Sequence, residues 1–382
     1  MSPASESLRF RRIVAKFGTN VLTGGTDRLD PAVMADLVGQ VARLHARGAQ
    51  VAIVTSGAIA AGRQAVRAAS ARGARPPASG GPLRQVYAAV GQGRLLHTYD
   101  TLFSWHGLTV AQALLTRRDL ADRDGYLHAR NTLIALLEMG IVPIVNENDA
   151  VATDEIAGAV IGDNDNLSAL VATLVDADLL AMCTTTGGLY TADPARHPEA
   201  RLVGRVEQID EQVERMAGAA GERGIGGMVT KLQAARMATA AGITAVIVSG
   251  RETDVLVRLG EGEEPGTWFL PQTDRPEARK RWILSGLALG GRIVVDAGAA
   301  RALREGGGSL LPAGAIAADG EFDRGDAVTI MGPDGDRIAC GISNYRAADV
   351  QRIRGLQSDR IAHVLGYDYG AEIVHRNNLV ML

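Results

Sequence analysis

Short apolar runs alternate with longer, helically spaced segments over the first two thirds of the chain. Phe10-Arg-Arg-Ile-Val-Ala-Lys-Phe17 predicts a strand, broken by Gly18-Thr19-Asn20. Over 31–47, Val33, Leu37, Val41 and Leu44 recur at helical spacing, and Gly48 is placed to end that helix. Val51-Ala-Ile-Val-Thr55 is continuously apolar, as expected of a parallel strand buried on both faces. Ser56-Gly57-Ala58 and an Ala-rich helix follow, then a loop over 70–82 carrying three Pro and three Gly. The same reading predicts helix over 83–105, an extended segment over 108–114 and helix over 117–139. Beyond these it predicts strands at 141–145, 178–183 and 244–248, with helices at 167–174 and 231–241 between them. Such alternation points to an α/β fold, a three-layer sandwich around a mostly parallel sheet.

The pattern changes near residue 260. Glu261, Glu263, Glu264, Pro265, Pro271 and Pro276 precede Arg279-Lys280-Arg281, and this composition predicts a linker. Beyond it the runs are short and strand-like, at 292–296, 327–331 and 337–340, with a turn signal at Gly332-Pro333-Asp334-Gly335. The organisation expected is a catalytic domain over 1–260, a linker over 261–282 and a small β-rich domain over 283–382.

Composition narrows the function classes. Apolar residues make up 46% and charged residues 22%, which places the chain among folded globular proteins. Aromatics are only 4%, so the core must rest on Ala, Val, Leu and Ile. The net charge is −3, and residues 277–382 carry 13 charges of each sign, so neither part has the basic balance of a nucleic-acid binder. Cys183 and Cys340 both lie in apolar runs and read as buried thiols, with no metal-ligand spacing around them. Residues 1–12 lack the apolar stretch of a signal peptide, and no run reaches membrane-spanning length. A cytoplasmic protein is expected.

Candidate chemistry lies where strands end in glycine and small polar residues. Lys16-Phe17-Gly18-Thr19-Asn20 offers a mobile cation beside a glycine that lets backbone N–H groups approach phosphate oxygens. Thr55-Ser56-Gly57-Ala58 opens a helix, whose N-terminus favours anions. Gly224-Ile-Gly-Gly-Met-Val-Thr-Lys231 is a further glycine loop with a hydroxyl and a lysine at a helix start. The patterns G-x-x-x-x-G-K-[ST] and G-x-G-x-x-G are absent from these loops, which argues against a Walker or a dinucleotide site. Asn146-Glu-Asn-Asp149 and Asp163-Asn-Asp-Asn166 together supply four carboxylates and four amides. Helix capping explains one or two of these, with Asp165 or Asn166 a good N-cap, but not two dense clusters.

These motifs resemble those of the glutamate 5-kinases, within the amino-acid kinase superfamily. The matching stretches are Lys16-x-Gly-Thr19, Val54-Thr-Ser-Gly-Ala-Ile-Ala-Ala-Gly62, Asn146-Glu-Asn-Asp-Ala-Val-Ala-Thr153, Gly162-Asp-Asn-Asp-Asn-Leu-Ser-Ala169, Gly188-Leu-Tyr-Thr-Ala-Asp-Pro194 and Gly226-Gly-Met-x-Thr-Lys231. Arg279-Lys-Arg-Trp-Ile283, Ser309-Leu-Leu-Pro-Ala-Gly314 and Leu365-Gly-Tyr-Asp-Tyr-Gly370 look like the family's C-terminal PUA domain. The resemblance implies an amino-acid-kinase fold and ATP-dependent phosphorylation of the L-glutamate side-chain carboxylate, the first step of proline synthesis. It implies that Lys16 and Lys231 contact the ATP phosphates and that Asp165 orients both lysines. Ser56, Gly57, Asp149 and Asn164 would hold glutamate. Thr184, Thr185, Ile225, Gly226, Gly227, Met228, Val229, Thr230 and Lys231 would line the nucleotide. Magnesium would accompany ATP, proline would act as a feedback inhibitor, and a homo-oligomer, tetramer or dimer, is implied. For the PUA-like domain a regulatory or assembly role is preferred; RNA binding is the competing role, disfavoured by the domain's zero net charge. Sibling aspartokinases and acetylglutamate kinases fit less well, because neither usually carries a PUA-like tail. The chain departs from the family at Thr184-Thr185-Thr186, at Ile225 and Val229, and in a longer segment over 155–162, all of which bear on the nucleotide side.

Overall fold

The computed structural model describes residues 8–71, 83–151, 164–218, 227–271 and 291–382. The chain divides into two units, one of residues up to Leu120 with Ala129–Thr273, the other of Ala121–His128 with Asp274–Leu382. The elements as far as Phe269 run β1 (Arg12–Phe17), α1 (Thr19–Leu22), α2 (Pro31–Ala46), β2 (Gln50–Thr55), α3 (Ala58–Ser70), α4 (Leu83–Ser104), β3 (Val110–Leu115), α5 (Arg117–Ala121) and α6 (Arg123–Glu138). They continue as β4 (Val142–Glu147), α7 (Asn164–Leu174), β5 (Leu179–Thr184), β6 (Arg205–Val206), α8 (Glu211–Met216), α9 (Met228–Ala240), β7 (Thr244–Ser249), α10 (Val255–Gly260) and β8 (Thr267–Phe269).

The strands form one eight-stranded sheet in the order β3-β4-β2-β1-β5-β7-β8-β6. All neighbours are parallel except β7 and β8. The central strands are buried over most of their length, which is why they read as nearly continuous apolar runs, with Lys16 of β1 a buried exception. Alternation along β1 decides which layer each side chain meets. Ile13, Ala15 and Phe17 join one apolar cluster with Met34, Leu37 and Val41 of α2, Leu95 and Tyr99 of α4, and Leu256 of α10. Val14 and Lys16 therefore face the opposite layer, where α7 lies against β1 and α9 against α7. α2 starts at Asp30, whose carboxylate accepts from the N–H groups of Ala32 and Val33 ahead of Pro31.

Three expectations change. The stretch expected as a linker holds β8, because Trp268 is buried and stacks on Phe10 with ring centroids 6.1 Å apart. Its indole N–H donates to the Pro265 carbonyl at 2.9 Å. The helix expected over 117–139 is two helices, since the Asp122 carboxylate accepts from the Gly125 N–H at 3.0 Å and restarts the chain as α6. Asp165 does not cap α7 from outside; the helix begins at Asn164, and Asp165 lies in its first turn, fully buried.

The second unit holds a five-stranded sheet in the order β10-β9-β11-β12-β13. Its elements are β9 (Gly291–Val295), α11 (Ala297–Gly306), β10 (Ala315–Gly320), β11 (Ala327–Met331), β12 (Arg337–Ile342), α12 (Ala347–Ile353), α13 (Ile361–Leu365) and β13 (Leu379–Met381). Ile293, Val328, Ile330, Tyr345, Val350 and Ile373 centre its own core. The Tyr345 hydroxyl lies 2.6 Å from the Gly370 carbonyl and 3.0 Å from the Asp368 carboxylate, which ties down the Tyr-Asp-Tyr-Gly stretch.

Both cysteines are buried, and burial pushes the Cys183 thiol up to about 12, so it is un-ionised at neutral pH. Among the described residues no helix is long and apolar enough to cross a membrane.

Candidate active site

Parallel pairing brings the carboxyl ends of β1, β2, β4, β5 and β7 to one edge of the sheet. Phe17 pairs with Thr55 and Cys183, Val54 with Val145, and Thr184 with Ser249. The segments that follow these ends, including Gly18, Ser56 and Thr185, share the crevice where open α/β sheets bind ligands.

Lys16 of β1 meets Asp165 of α7 in a buried ion pair. Lys231, in the first turn of α9, reaches the second carboxylate oxygen at 3.1 Å. The Thr230 hydroxyl, with one proton to share, lies 2.8 Å from that same oxygen and 2.8 Å from the Gly227 carbonyl. One carboxylate thus holds two ammonium groups drawn from distant parts of the chain. Burial alone would push the Asp165 carboxyl up. The charges of Lys16 and Lys231, with hydrogen bonds from Lys16 and Thr230, outweigh it and hold the group down at about 2. Asp165 is therefore a permanent anion near neutral pH, and it fixes both lysines beside the strand end. Gly18 adjoins this place, its Cβ position lying 3.8 Å from the Lys16 ammonium, an ordinary contact distance.

A second cluster, of amides, adjoins the first because Asn164 precedes Asp165. The Asn164 amide N–H₂ lies 2.9 Å from Ser56 Oγ, 3.0 Å from the Thr55 carbonyl and 3.1 Å from Asn146 Oδ1. Asn146, buried at the end of β4, donates in turn to Gln92 Oε1 of α4 at 2.7 Å. The Thr55 hydroxyl is 2.9 Å from the Tyr99 hydroxyl, again from α4. Asn164 Oδ1 is buried with no hydrogen-bond partner among the described residues, as is Asn166 Oδ1. Such oxygens call for donors, which an amino-acid ammonium group supplies. Gly57 begins α3 at φ +102°, a left-handed conformation that turns the chain sharply after Ser56.

The structure thus joins Lys16, Asp165, Thr230 and Lys231 in one cluster, and Ser56 and Asn164 in another. Asp149 is half-buried just beyond β4. Thr184 closes β5, its carbonyl accepting from Gly250 N–H at 2.8 Å, and Thr185 is exposed after it. Gly227, Met228 and Val229 open α9, which has no side-chain cap. Ile225 and Gly226 lie outside the described residues, as does the segment 155–162. Sequence reasoning missed Gln92 and Tyr99 altogether, and gave Asn146 a place in a motif without a role. Gln92 lies in a helix with an ordinary mixed pattern, so only its partner across space marks it.

Residues 11–249 match the model of the amino acid kinase family, and residues 291–365 match that of the PUA domain. The glutamate 5-kinase of Dehalococcoides mccartyi strain CBDB1 is 52% identical over 374 residues, covering 98% of this chain and 99% of that protein. This chain belongs to the glutamate 5-kinase family. The glutamate 5-kinase of Herpetosiphon aurantiacus is 52% identical over 370 residues, covering 97% and 98% of the two chains. That of Deinococcus radiodurans is 47% identical over 372 residues, covering 97% and 100%. Similarity to the glutamate 5-kinases therefore runs along nearly the whole chain, through the parts matched by both family models.

Proposed function

We propose that this chain transfers the terminal phosphoryl group of ATP to the side-chain carboxylate of L-glutamate, with Lys16, Lys231 and Asp165 at the reacting end and the amide cluster holding the amino acid. The observation that carries the site reading is the single buried carboxylate shared by two lysines beside a buried amide oxygen in need of a donor. A carboxylate oxygen attacks the terminal phosphorus, the bond from that phosphorus to the ADP oxygen breaks, and glutamyl 5-phosphate and ADP result. Two anions must approach, so the main requirement is neutralisation and positioning of charge. Lys16 and Lys231 meet it by contacting phosphate oxygens, and Asp165 keeps both ammonium groups in place. A general base is not required, because the acceptor carboxylate is already ionised at neutral pH.

Ser56, Gly57, Asp149 and Asn164 hold glutamate in this reading, with Asn164 Oδ1 accepting from its α-ammonium group. Thr184, Thr185 and the start of α9 from Gly227 to Lys231 flank the nucleotide, with Ile225 and Gly226 before them. The uncapped N–H groups of α9 suit a phosphate. Magnesium enters as a partner of the ATP phosphates. The reading extends to the first step of proline synthesis in the cytoplasm, to inhibition by proline and to a homo-oligomer. It assigns catalysis to residues 1–260 and no RNA-binding role to the PUA-like domain.

The deciding experiment incubates the protein with ATP, magnesium, hydroxylamine and one of glutamate, aspartate or N-acetylglutamate. Hydroxamate should form with glutamate. Product with one of the other acceptors alone would overturn the substrate assignment. Added proline in the same assay, light scattering and a low-salt RNA titration test the remaining parts.

A further inference from the structure

The amide cluster has a polarity, and that polarity runs back to a residue outside the substrate pocket. Terminal amides of Asn and Gln keep nearly the same shape when turned end for end, so something must decide which end each one presents. Here one end is fixed by the backbone. The Thr55 carbonyl can only accept, so Asn164 must turn its N–H₂ toward it. That nitrogen also faces Asn146, which must then present its oxygen, at 3.1 Å. The Asn146 nitrogen is left pointing the other way, in a side chain 1% exposed, and it needs an acceptor. Gln92 Oε1 provides one at 2.7 Å.

We infer that Gln92 is a positioning residue for the amino-acid substrate: it holds Asn146 with its oxygen toward Asn164, an acceptor that joins the Thr55 carbonyl in keeping Asn164 Oδ1 facing the α-ammonium group. The inference rests on the reading of Asn164 as a substrate ligand.

Two further observations show how α4 can act so accurately. Gly91, next to Gln92, packs so closely on α3 that a Cβ there would fall 1.7 Å from the Ala58 carbonyl oxygen. Gly62 of α3 reciprocates, its Cβ position lying 1.8 Å from the Tyr87 carbonyl oxygen. The helix bearing Gln92 is therefore held backbone to backbone against the helix that starts just after Ser56. Tyr99 lies seven residues beyond Gln92, two turns along the same face, and its hydroxyl meets the Thr55 hydroxyl at 2.9 Å. One helix thus grips the carboxyl ends of both β2 and β4.

Without Gln92, the Asn146 nitrogen is a buried donor with no acceptor from α4. The amide then turns or recruits water, and a turned Asn146 sets donor against donor at Asn164. Substrate binding should suffer, while the lysines and Asp165, on the other side of Asn164, keep their arrangement.

The test is steady-state kinetics on the full chain. Gln92→Leu, similar in size but without an acceptor, should raise the KM for glutamate about tenfold, with kcat within about threefold and the KM for ATP unchanged. Gln92→Glu keeps an acceptor oxygen toward Asn146 and should bring the KM for glutamate back to within about threefold of the parent. The double variant Gln92→Leu/Asn146→Ala should be no worse than Asn146→Ala alone, since both remove the same link. An unchanged glutamate KM in Gln92→Leu, equal losses for glutamate and ATP, or additive losses in the double variant would each overturn the inference. If Gln92→Leu lowers the thermal midpoint, the Leu and Glu variants are compared well below both midpoints, and equal defects again overturn it. Asn164→Ala separates the two levels. An unchanged glutamate KM there removes the ligand reading and the relay with it, whereas a raised KM beside a normal Gln92→Leu removes the relay alone.

Discussion

Asp165→Asn removes one charge and almost no volume from the centre of the site, and its consequences can be worked from the geometry. The carboxylate is fully buried and accepts from Lys16, Lys231 and Thr230. In the variant, two ammonium groups with side chains only 5% and 8% exposed face each other across a neutral amide. Removing one partner from a buried ion pair typically costs about 3–5 kcal/mol. For a unit of this size that corresponds to a thermal midpoint lower by roughly 6–20 °C. A second measure comes from acid. The folded group titrates at about 2 against an ordinary value of 3.8, a depression. Its stabilisation, about 2 kcal/mol, is fully present above about pH 4 and is lost as pH falls toward 2. Asp165→Asn should therefore lack that part of the acid limb in urea midpoints measured from pH 5 downward. Activity should fall about a hundredfold or more, because the lysines no longer hold the positions that neutralise the transferring group. MgATP should raise the thermal midpoint of the variant more than that of the parent, since its phosphates replace the missing anion. A variant with the parent's thermal midpoint, the same acid slope and undiminished kcat would refute this account of Asp165.

Other expectations follow from single contacts. Lys231→Met should lower kcat by about 10²–10³ in the hydroxamate assay, with the circular dichroism spectrum retained. Gly91→Ala places a methyl group on the Ala58 carbonyl oxygen, so α3 and α4 must separate. A loss of about 1–3 kcal/mol or more is expected in urea titration, with a raised KM for glutamate. Trp268→Ala empties a buried site between Phe10 and β7 and should cost about 3–5 kcal/mol by the same titration, confirming that 267–269 belongs to the sheet.

The pattern along the chain revealed the architecture where burial acts on whole segments. β1, β2, β4, β5 and β7 are covered on both faces, so they are apolar except where a strand carries a site residue such as Lys16 or Asn146. The spacing of Val33, Leu37, Val41 and Leu44 did the same for α2. Where a single side chain makes the element, the pattern was silent. β8 depends on Trp268 and Phe269 set among Glu, Pro and Gly, and the break before α6 depends on one carboxylate, that of Asp122.

The chemistry divides in the same way. The sequence by itself determined which groups are available: lysines next to glycine loops, two runs of carboxylates and amides, and no histidine or cysteine set suited to a metal. It also placed Lys16, Ser56 and the 146–149 run at or just after apolar runs, and thus at strand ends. Only the tertiary structure decided which of them meet. Lys16 and Asp165 are 149 residues apart and touch because β1 lies at the centre of a parallel sheet and alternation along it turns Lys16 toward α7. The same crossovers made Asp165 the buried anchor of two lysines where local pattern suggested a helix cap. They also brought Gln92 to Asn146 across 54 residues. A hydrogen bond needs its partners within about 3 Å, and for residues this far apart only the packed fold sets that distance.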